Sequence, residues 1–409
     1  MIAFLYLLLF VVLLSTYKKK AGLSVGVLLL SFYTLSALLT FLESFEGSPN
    51  SDYLDLKATI YYAVCMLISL WPFLVLGKLD CRYFSISEGI LKYLSYVLIF
   101  FGLIDFISSS IDLFNNRAIL MNDIGQLRMN FYDTMDEVAG DRSVFDKLTI
   151  MVKYLQYLSP FCCIYFITKR KNTLAWLLFI ASISFPLHNM VIGEREASLK
   201  FLANYAFCVI FFRPHLSHET KKKLLRGGLI GISPFILFIV VMTIARASIT
   251  GISTGDNIFA YGGDQPFFFT HIFNDASIAS QALGGRMCFR YFFPINERMQ
   301  NQINDYINSD IYLNQFGGLP GSFYLDFGYY AILVIALITL LYFMVIKGAT
   351  KHDGKYPFYL LLLFYFSYQV CFMNIFYYDY IELYAFFLTL VLFLYCFAKE
   401  RIGVGLSRF

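Results

Sequence analysis

Long apolar runs broken by short polar stretches set the pattern of this chain. They cover residues 2–16, 22–42, 58–77, 93–114, 148–168, 174–192, 197–212, 228–245, 322–346, 356–376 and 383–398. Most have the length of a helix that crosses the hydrocarbon of a bilayer, about 17–25 residues. The pattern predicts an all-α, polytopic helical membrane protein with about eleven transmembrane helices. The first run is apolar from its start, and its basic cluster, Lys18–Lys20, comes after it. A secretory signal has the reverse order, so this run is expected to be a retained first helix. No solenoid-like repeat recurs along the chain.

One interval leaves the pattern. Residues 246–320 are polar and carry Arg246, Arg286, Arg290 and Arg298, His271, several acids and many aromatics, but no lysine. The chain thus reads as membrane helices over 1–245 (about eight), a large loop over 246–320, and membrane helices over 321–409 (about three). A long polar loop on a rigid scaffold is the expected seat of function. Within it, the glycine-rich stretch 254–263 is expected to be irregular. Two short helices are expected at 275–283 and 296–307, separated by the break at Pro294.

Composition supports the membrane class. Of 409 residues, 58% are hydrophobic, 19% aromatic and only 15% charged, with a mean hydropathy of +0.63. A soluble core does not absorb that excess. Of the eight cysteines, six lie inside apolar runs, Cys81 lies in a short loop and Cys288 in the long one. That is neither a disulfide framework nor metal-ligand spacing.

The net charge of +4 hides an asymmetry. One set of alternate loops holds Lys18–Lys20 and the basic residues within 78–92, 169–171, 213–226, 347–355 and 399–408. Together these are 20 of the 32 Lys and Arg residues, accompanied only by the acids Asp80, Glu88, Glu219, Asp353 and Glu400. The positive-inside rule makes this set cytoplasmic. The large loop is then external, with the amino terminus outside and the carboxyl terminus inside.

The candidate chemistry lies on the external side. Arg195 is expected at the outer end of the sixth helix and Arg246 at that of the eighth, with Arg286 and Arg290 beside the aromatic run Tyr291–Phe293. Guanidinium groups on a face where charge bias disfavours them point to fork-shaped recognition of phosphate or carboxylate; the plainer reading is interfacial snorkelling. Candidate bases are Glu194, which with Glu196 flanks Arg195, and His271 in an aromatic run; Asp264, Asp275 and Asp326 are further carboxylates on or near that side. Asp105 and Asp112, seven residues apart, share a helix face and either line a polar cleft or mark a helix end. The acidic run 133–137 matches no standard ligand spacing and reads as a solvated loop. Tyr261, Phe267–Phe269 and Tyr291–Phe293 either stack on sugar rings or form a lid on the membrane surface. No HExxH, GxGxxG, P-loop or GxSxG pattern occurs, which leaves hydrolase and nucleotide-driven readings without support.

The run Leu319-Pro-Gly-Ser-Phe-Tyr-Leu-Asp-Phe-Gly-Tyr-Tyr-Ala-Ile-Leu opens the ninth apolar run. It resembles the segment after the large periplasmic loop in Wzy-type polymerases of O-antigen and related oligosaccharide repeat units. Gly321, Tyr324, Phe327 and Gly328 fit that pattern, while Ser322 stands where the family often has glutamate. Gly193-Glu194-Arg195 is similar to the family's small-residue/arginine turn, and Arg246 to the arginine that begins its loop. The resemblance implies a GT-C-like glycosyltransferase of the bacterial inner membrane, without metal or other cofactor. It would join glycans carried on undecaprenyl diphosphate at the periplasmic face. In that scheme Arg195 and Arg246, aided by Arg286 or Arg290, hold the diphosphate, and Glu194 or His271 is the base. Tyr261, Tyr291 and Tyr324 meet the sugar. The implied partners are lipid-linked glycans, the bilayer, and a chain-length regulator and flippase of the same pathway, with no nucleic acid. An O-antigen ligase, transferring glycan to lipid A-core, shares this architecture. A lipid-linked oligosaccharide flippase would instead show matched halves with broken helices, and these halves do not match.

Overall fold

In hydrocarbon every backbone N–H and C=O has to be satisfied within the chain, and a helix does this locally. The computed structural model describes residues 1–46, 54–115, 155–191, 196–250, 262–274, 318–349, 351, 353–376 and 383–406. Over these residues the chain is helical, apart from turns and one isolated parallel bridge between Phe84 and Tyr356. Seven helical stretches are long and apolar enough to cross a membrane: Ile2–Ala21, Val25–Phe45, Leu56–Leu76, Glu88–Asn115, Asn172–Met190, His218–Val241 and Gly318–Lys347. Their outward faces are apolar, as with Phe4, Leu5 and Leu8 on the first and Leu333, Leu337 and Leu341 on the last. Side chains of this kind left on the surface suit lipid rather than water.

The chain divides into two compact units. The first comprises Met1–Leu79, Gly255–Thr350 and Phe366–Leu383. Its helices are α1 (Ile2–Ala21), α2 (Val25–Glu46) and α3 (Leu56–Leu76). The glycines that join α2 to α3 let the backbones touch: Gly26 N–H donates to the Gly77 carbonyl at 3.3 Å. Tyr17 of α1 donates to the Leu74 carbonyl at 2.7 Å. The end of α1, the start of α2 and the end of α3 therefore lie together, and Lys18–Lys20 and Lys78 come to that end. Trp71 and Phe73 of α3 pack on Phe343 and Tyr342, while Tyr61 bonds at residues 329 and 332. The helix bearing these partners thus runs parallel to α3 and brings Lys347 to the same basic end.

The second unit comprises Asp80–Thr254, Lys351–Tyr365 and Tyr384–Phe409. It holds α4 (Glu88–Asn115), α5 (Ser159–Thr168), α6 (Asn172–Val191), α7 (Glu196–Phe212) and α8 (His218–Thr250). Helices α4 and α6 run side by side in one direction. Glu88 meets Lys171 at one end, at 2.5 Å, and Asp105 meets His188 near the other, at 3.7 Å. Between them the helices touch through small residues, since a Cβ on Gly102 would lie 2.8 Å from that of Ala181. Close approach through small residues is how helices associate without a hydrophobic driving force. Gln156 joins this contact by donating to the Leu98 carbonyl at 3.2 Å and accepting from Ser159 at 2.6 Å. A ring cluster of Phe84, Phe161, Phe207, Phe211, Phe212, Phe364 and Tyr365 fills the end near Glu88. Met190, Phe201 and Phe235 form a second core toward the other end.

Three local results differ from the apolar pattern. Over 148–168 the described residues give only the ten-residue helix α5, entered through a 3-10 turn at Gln156–Leu158. Ten residues rise about 15 Å, half the hydrocarbon thickness. The run at 322–346 is two helices, α10 (Gly318–Phe327) and α11 (Ala331–Lys347). Gly328 between them has φ 55°, a left-handed conformation that ends a helix and that glycine adopts freely. Helix α8 is 33 residues long, about 50 Å, and carries the first residues of the polar interval, Arg246–Thr250, on its last turns. Two further helices, α12 (Phe358–Phe376) and α13 (Leu383–Leu406), complete the described chain. Glu400 of α13 accepts from the Phe358 N–H at 2.9 Å, capping the start of α12.

Gly102 and Gly89 both lie on α4, but nothing stands within 4 Å of a Cβ at Gly89. Gly102→Ala is expected to destabilise the protein by about 1–3 kcal/mol through overpacking. Gly89→Ala is expected to be neutral or stabilising by up to about 1 kcal/mol. Thermal unfolding in detergent measures both; equal melting of the two variants would remove the close α4–α6 contact from the argument.

Candidate functional site

A helix inside the polar interval was not legible in the apolar pattern. Helix α9 (Gln265–Asn274) belongs to the first unit, and Gln265–Thr270 and Ile272 are buried. Two hydroxyls of α2 hold its leading edge. Ser36 bonds the Gly262 carbonyl at 2.6 Å and Gln265 Oε1 at 2.8 Å, and Thr40 donates to the Gly263 carbonyl at 2.8 Å. The approach is as close as backbones come: a Cβ on Gly263 would lie 2.5 Å from Thr40 N and 2.6 Å from the Leu39 carbonyl carbon. The chain did carry a signal for this helix. Asp264 followed by Gln-Pro is a cap residue with proline in the first turn, and the Asp264 carbonyl accepts from Phe268 N–H at 2.9 Å.

Rings lock α9 to its neighbours. Phe269 stacks on Tyr61 with centroids 5.8 Å apart and planes at 12°. Phe269 and Phe273 both meet Tyr324 of α10, at 5.4 and 5.5 Å. Tyr61 also donates to the Tyr329 carbonyl at 3.0 Å and accepts from Ile332 N–H at 3.1 Å. One tyrosine of α3 therefore ties α9 to the turn between α10 and α11.

The sequence candidates fall as follows. His271 lies on α9, partly exposed. Tyr324 is fully buried, with Tyr61, Phe269, Phe273 and Tyr329 around its ring. In this conformation it packs and offers no ring face to a sugar. Phe267–Phe269 are likewise buried and form core rather than a lid. Asp264 and Asp326 are enclosed, at 1% and 0% exposure, away from solvent. Arg246 lies on the last turns of α8, where the backbone alone is described. Glu194, Arg195, Tyr261, Arg286, Arg290, Tyr291 and Asp275 lie outside the described residues, as do the helices expected at 275–283 and 296–307. The structure thus brings His271 and Tyr324 onto packed elements of one unit and leaves the arginine set untested.

In the second unit an ionisable pair lies inside helical runs. His188 Nδ1 is 3.7 Å from Asp105 Oδ1. Asp112, on the same face by sequence, is exposed. Sequence reasoning singled out Asp105 but missed His188; the signal was a histidine two residues after Pro186 within an apolar run. At the other end of this unit, Cys81 Sγ lies 3.3 Å from His215 Nδ1. Burial, and secondarily Asp80, push that thiol up to about 12, so it stays protonated and acts as packing rather than as a nucleophile. No group of three or more His, Cys, Asp or Glu residues suited to a metal ion occurs among the described residues.

These features define a helical membrane-embedded protein with a polar interval anchored on the bundle by a buried helix. Comparison with protein-family models, curated proteins and solved structures finds no match.

Gly263→Ala is expected to lift α9 from α2. A cysteine placed at 267, where phenylalanine is 2% exposed, should then react with maleimide in the Gly263→Ala background and stay protected in the parent. Equal protection in both backgrounds would mean that the glycine contact does not hold the helix.

Proposed function

We propose that the chain is a membrane glycosyltransferase that polymerises oligosaccharide repeat units carried on undecaprenyl diphosphate, as an O-antigen polymerase does. The site lies at the end of the bundle from which the 246–320 interval emerges, taken here as the periplasmic face of a bacterial inner membrane. The observation that carries the reading is the segregation of the cations. Lysine is absent from residue 224 to residue 346, while arginine recurs there; Lys18–Lys20, Lys78 and Lys347 gather at the opposite end of the first unit. Lys57, in the first turn of α3, stands at this end, but an interval that needed only solubility would use lysine freely. A diphosphate leaving group instead calls for planar, bidentate donors that strengthen as its charge develops.

In this scheme Arg195 and Arg246, with Arg286 or Arg290, hold the diphosphate, and Glu194 and His271 are candidate bases. Helix α8, about 50 Å long, supports the placement of Arg246 beyond the hydrocarbon, at headgroup level. The buried α9 supports a rigid anchor inside the interval, with Ser36, Thr40 and Tyr61 fixing its place on the first unit. Tyr261 and Tyr291 remain the proposed sugar-stacking residues, and Tyr324 is given a packing role.

Arg246→Lys keeps the charge and loses the fork. It is expected to cut polymer formation roughly 10- to 100-fold, the equivalent of one charged hydrogen bond of about 1.5–3 kcal/mol. Lipopolysaccharide banding from a deletion strain complemented with each variant measures this. Full-length ladders at normal expression would count against the diphosphate role. The deletion strain itself separates the neighbouring activities: single repeat units on lipid A-core mean a lost polymerase, whereas a bare core means a lost ligase.

A further inference from the structure

We infer that His188, in place of Glu194 or His271, is the base that takes the proton from the acceptor hydroxyl, with Asp105 positioning its ring; this rests on the glycosyl-transfer reading above. Both residues belong to the second unit, Asp105 on α4 and His188 on α6. Asp105 is 9% exposed, whereas the His188 side chain keeps 37% of its surface open. With Nδ1 facing the carboxylate, Nε2 lies on the far side of the ring. An enclosed carboxylate behind a partly open imidazole is the arrangement a general base needs, because the acid fixes the tautomer and balances the imidazolium that forms. The 3.7 Å separation is longer than a hydrogen bond, and such contacts tighten once substrate closes a site.

A second observation sets this pair apart from a structural ion pair. Ser109 lies one turn from Asp105 on α4 and Ser184 one turn from His188 on α6. They are 1% and 0% exposed, and neither hydroxyl has a hydrogen-bond partner among the described residues. Unsatisfied hydroxyls in an apolar interior are costly. Two of them on the helix faces that carry an acid and an imidazole fit a place that receives a polar guest. Pro186 adds to this polarity, since it has no N–H for the carbonyl one turn earlier.

The depth also fits. His188 stands three residues before Val191, the last residue of α6, about 5 Å along the axis. A sugar on a lipid diphosphate sits at headgroup level, next to a helix end rather than at mid-bilayer. The step balances as follows. The acceptor O–H bond breaks and its proton goes to Nε2. The acceptor oxygen bonds the anomeric carbon. The anomeric C–O bond to phosphate breaks, and its electron pair leaves on undecaprenyl diphosphate. The imidazolium, paired with Asp105, then returns its proton to water.

The test uses full-length protein reconstituted with lipid-linked single repeat units extracted from the deletion strain. Binding of undecaprenyl diphosphate alone is measured in parallel. His188→Gln is expected to lower kcat on the order of 10²- to 10⁴-fold, with the Kd for undecaprenyl diphosphate within about twofold of the parent. Asp105→Asn should lower kcat less and leave the acceptor KM unchanged. Added imidazole should restore part of the rate to monodisperse His188→Ala, which a merely structural histidine would not allow. The inference is overturned if His188→Gln keeps a rate within about threefold of the parent, or if its loss follows Kd rather than kcat. It is equally overturned if imidazole rescues nothing. A parent protein that binds the carrier and transfers no sugar would instead defeat the glycosyl-transfer reading, and the base with it.

Discussion

Tyrosine hydroxyls bonded to the backbone carbonyls of neighbouring helices are the interaction on which each unit depends. A helical carbonyl already accepts one N–H and keeps a second lone pair, and in hydrocarbon no water competes for it. Tyr17 uses Leu74, Tyr33 uses Cys371, Tyr368 uses Phe73 and Tyr61 uses Tyr329 within the first unit. Tyr365 uses Tyr157 within the second. The hydrophobic effect does not bring helices together inside lipid, because lipid tails are as apolar as leucine, so close packing and directional bonds have to. A tyrosine supplies ring contact and a directional bond in one side chain, so it fixes rotation and depth together. This gives these five of the chain's 31 tyrosines a structural use beyond an interfacial belt.

The same constraint separates ordinary polar residues from informative ones. Ser31, Ser95 and Thr339 each donate to a carbonyl three or four residues back in their own helix, the routine solution for a small hydroxyl in lipid. Ser36 and Thr40 also reach across to another segment, which is why they position α9 rather than merely tolerate burial. Ser109 and Ser184 do neither. Polar atoms that the described fold leaves without a use, set beside an acid and an imidazole, are where a bundle of this kind departs from pure architecture.

The helices were legible because length and apolarity are properties of a single run. The expected runs each have a helix at their place among the described residues, seven of them long and apolar enough to cross a membrane, and α2, α3, α6, α7 and α12 lie within a few residues of expectation. The pattern was blind to events that take one residue or two partners. Gly328 divides the run at 322–346 through its left-handed backbone, a conformation that hydropathy does not encode. Helix α9 was hidden because a buried aromatic segment inside a polar interval averages out to a loop; its cap residue and proline were the better guide. His188 was overlooked because a lone histidine in an apolar run carries no weight until Asp105, 83 positions away, is found against it. Tyr324 was assigned to the sugar by its place in a motif, and its enclosure is a property that residue identity does not encode.

Cation placement links this packing to the proposed chemistry. At the lysine-rich end of the second unit, four of the five acids are engaged with local partners. Asp80 is held by Arg82, Glu88 by Lys171, Glu219 by Lys223, and Glu400 by the first turn of α12. Lysines outnumber the acids at that end, with Lys92, Lys169, Lys351 and Lys399 lying over tyrosine rings, which suits a headgroup surface without selecting a ligand. The long interval follows the opposite rule. It has arginine and no lysine, and within the first unit Gly263 and Tyr61 anchor its helix α9. A rigid origin matters only if the residues that follow have to meet a target in fixed geometry. Solubility makes no such demand, and recognition of a lipid-borne diphosphate does.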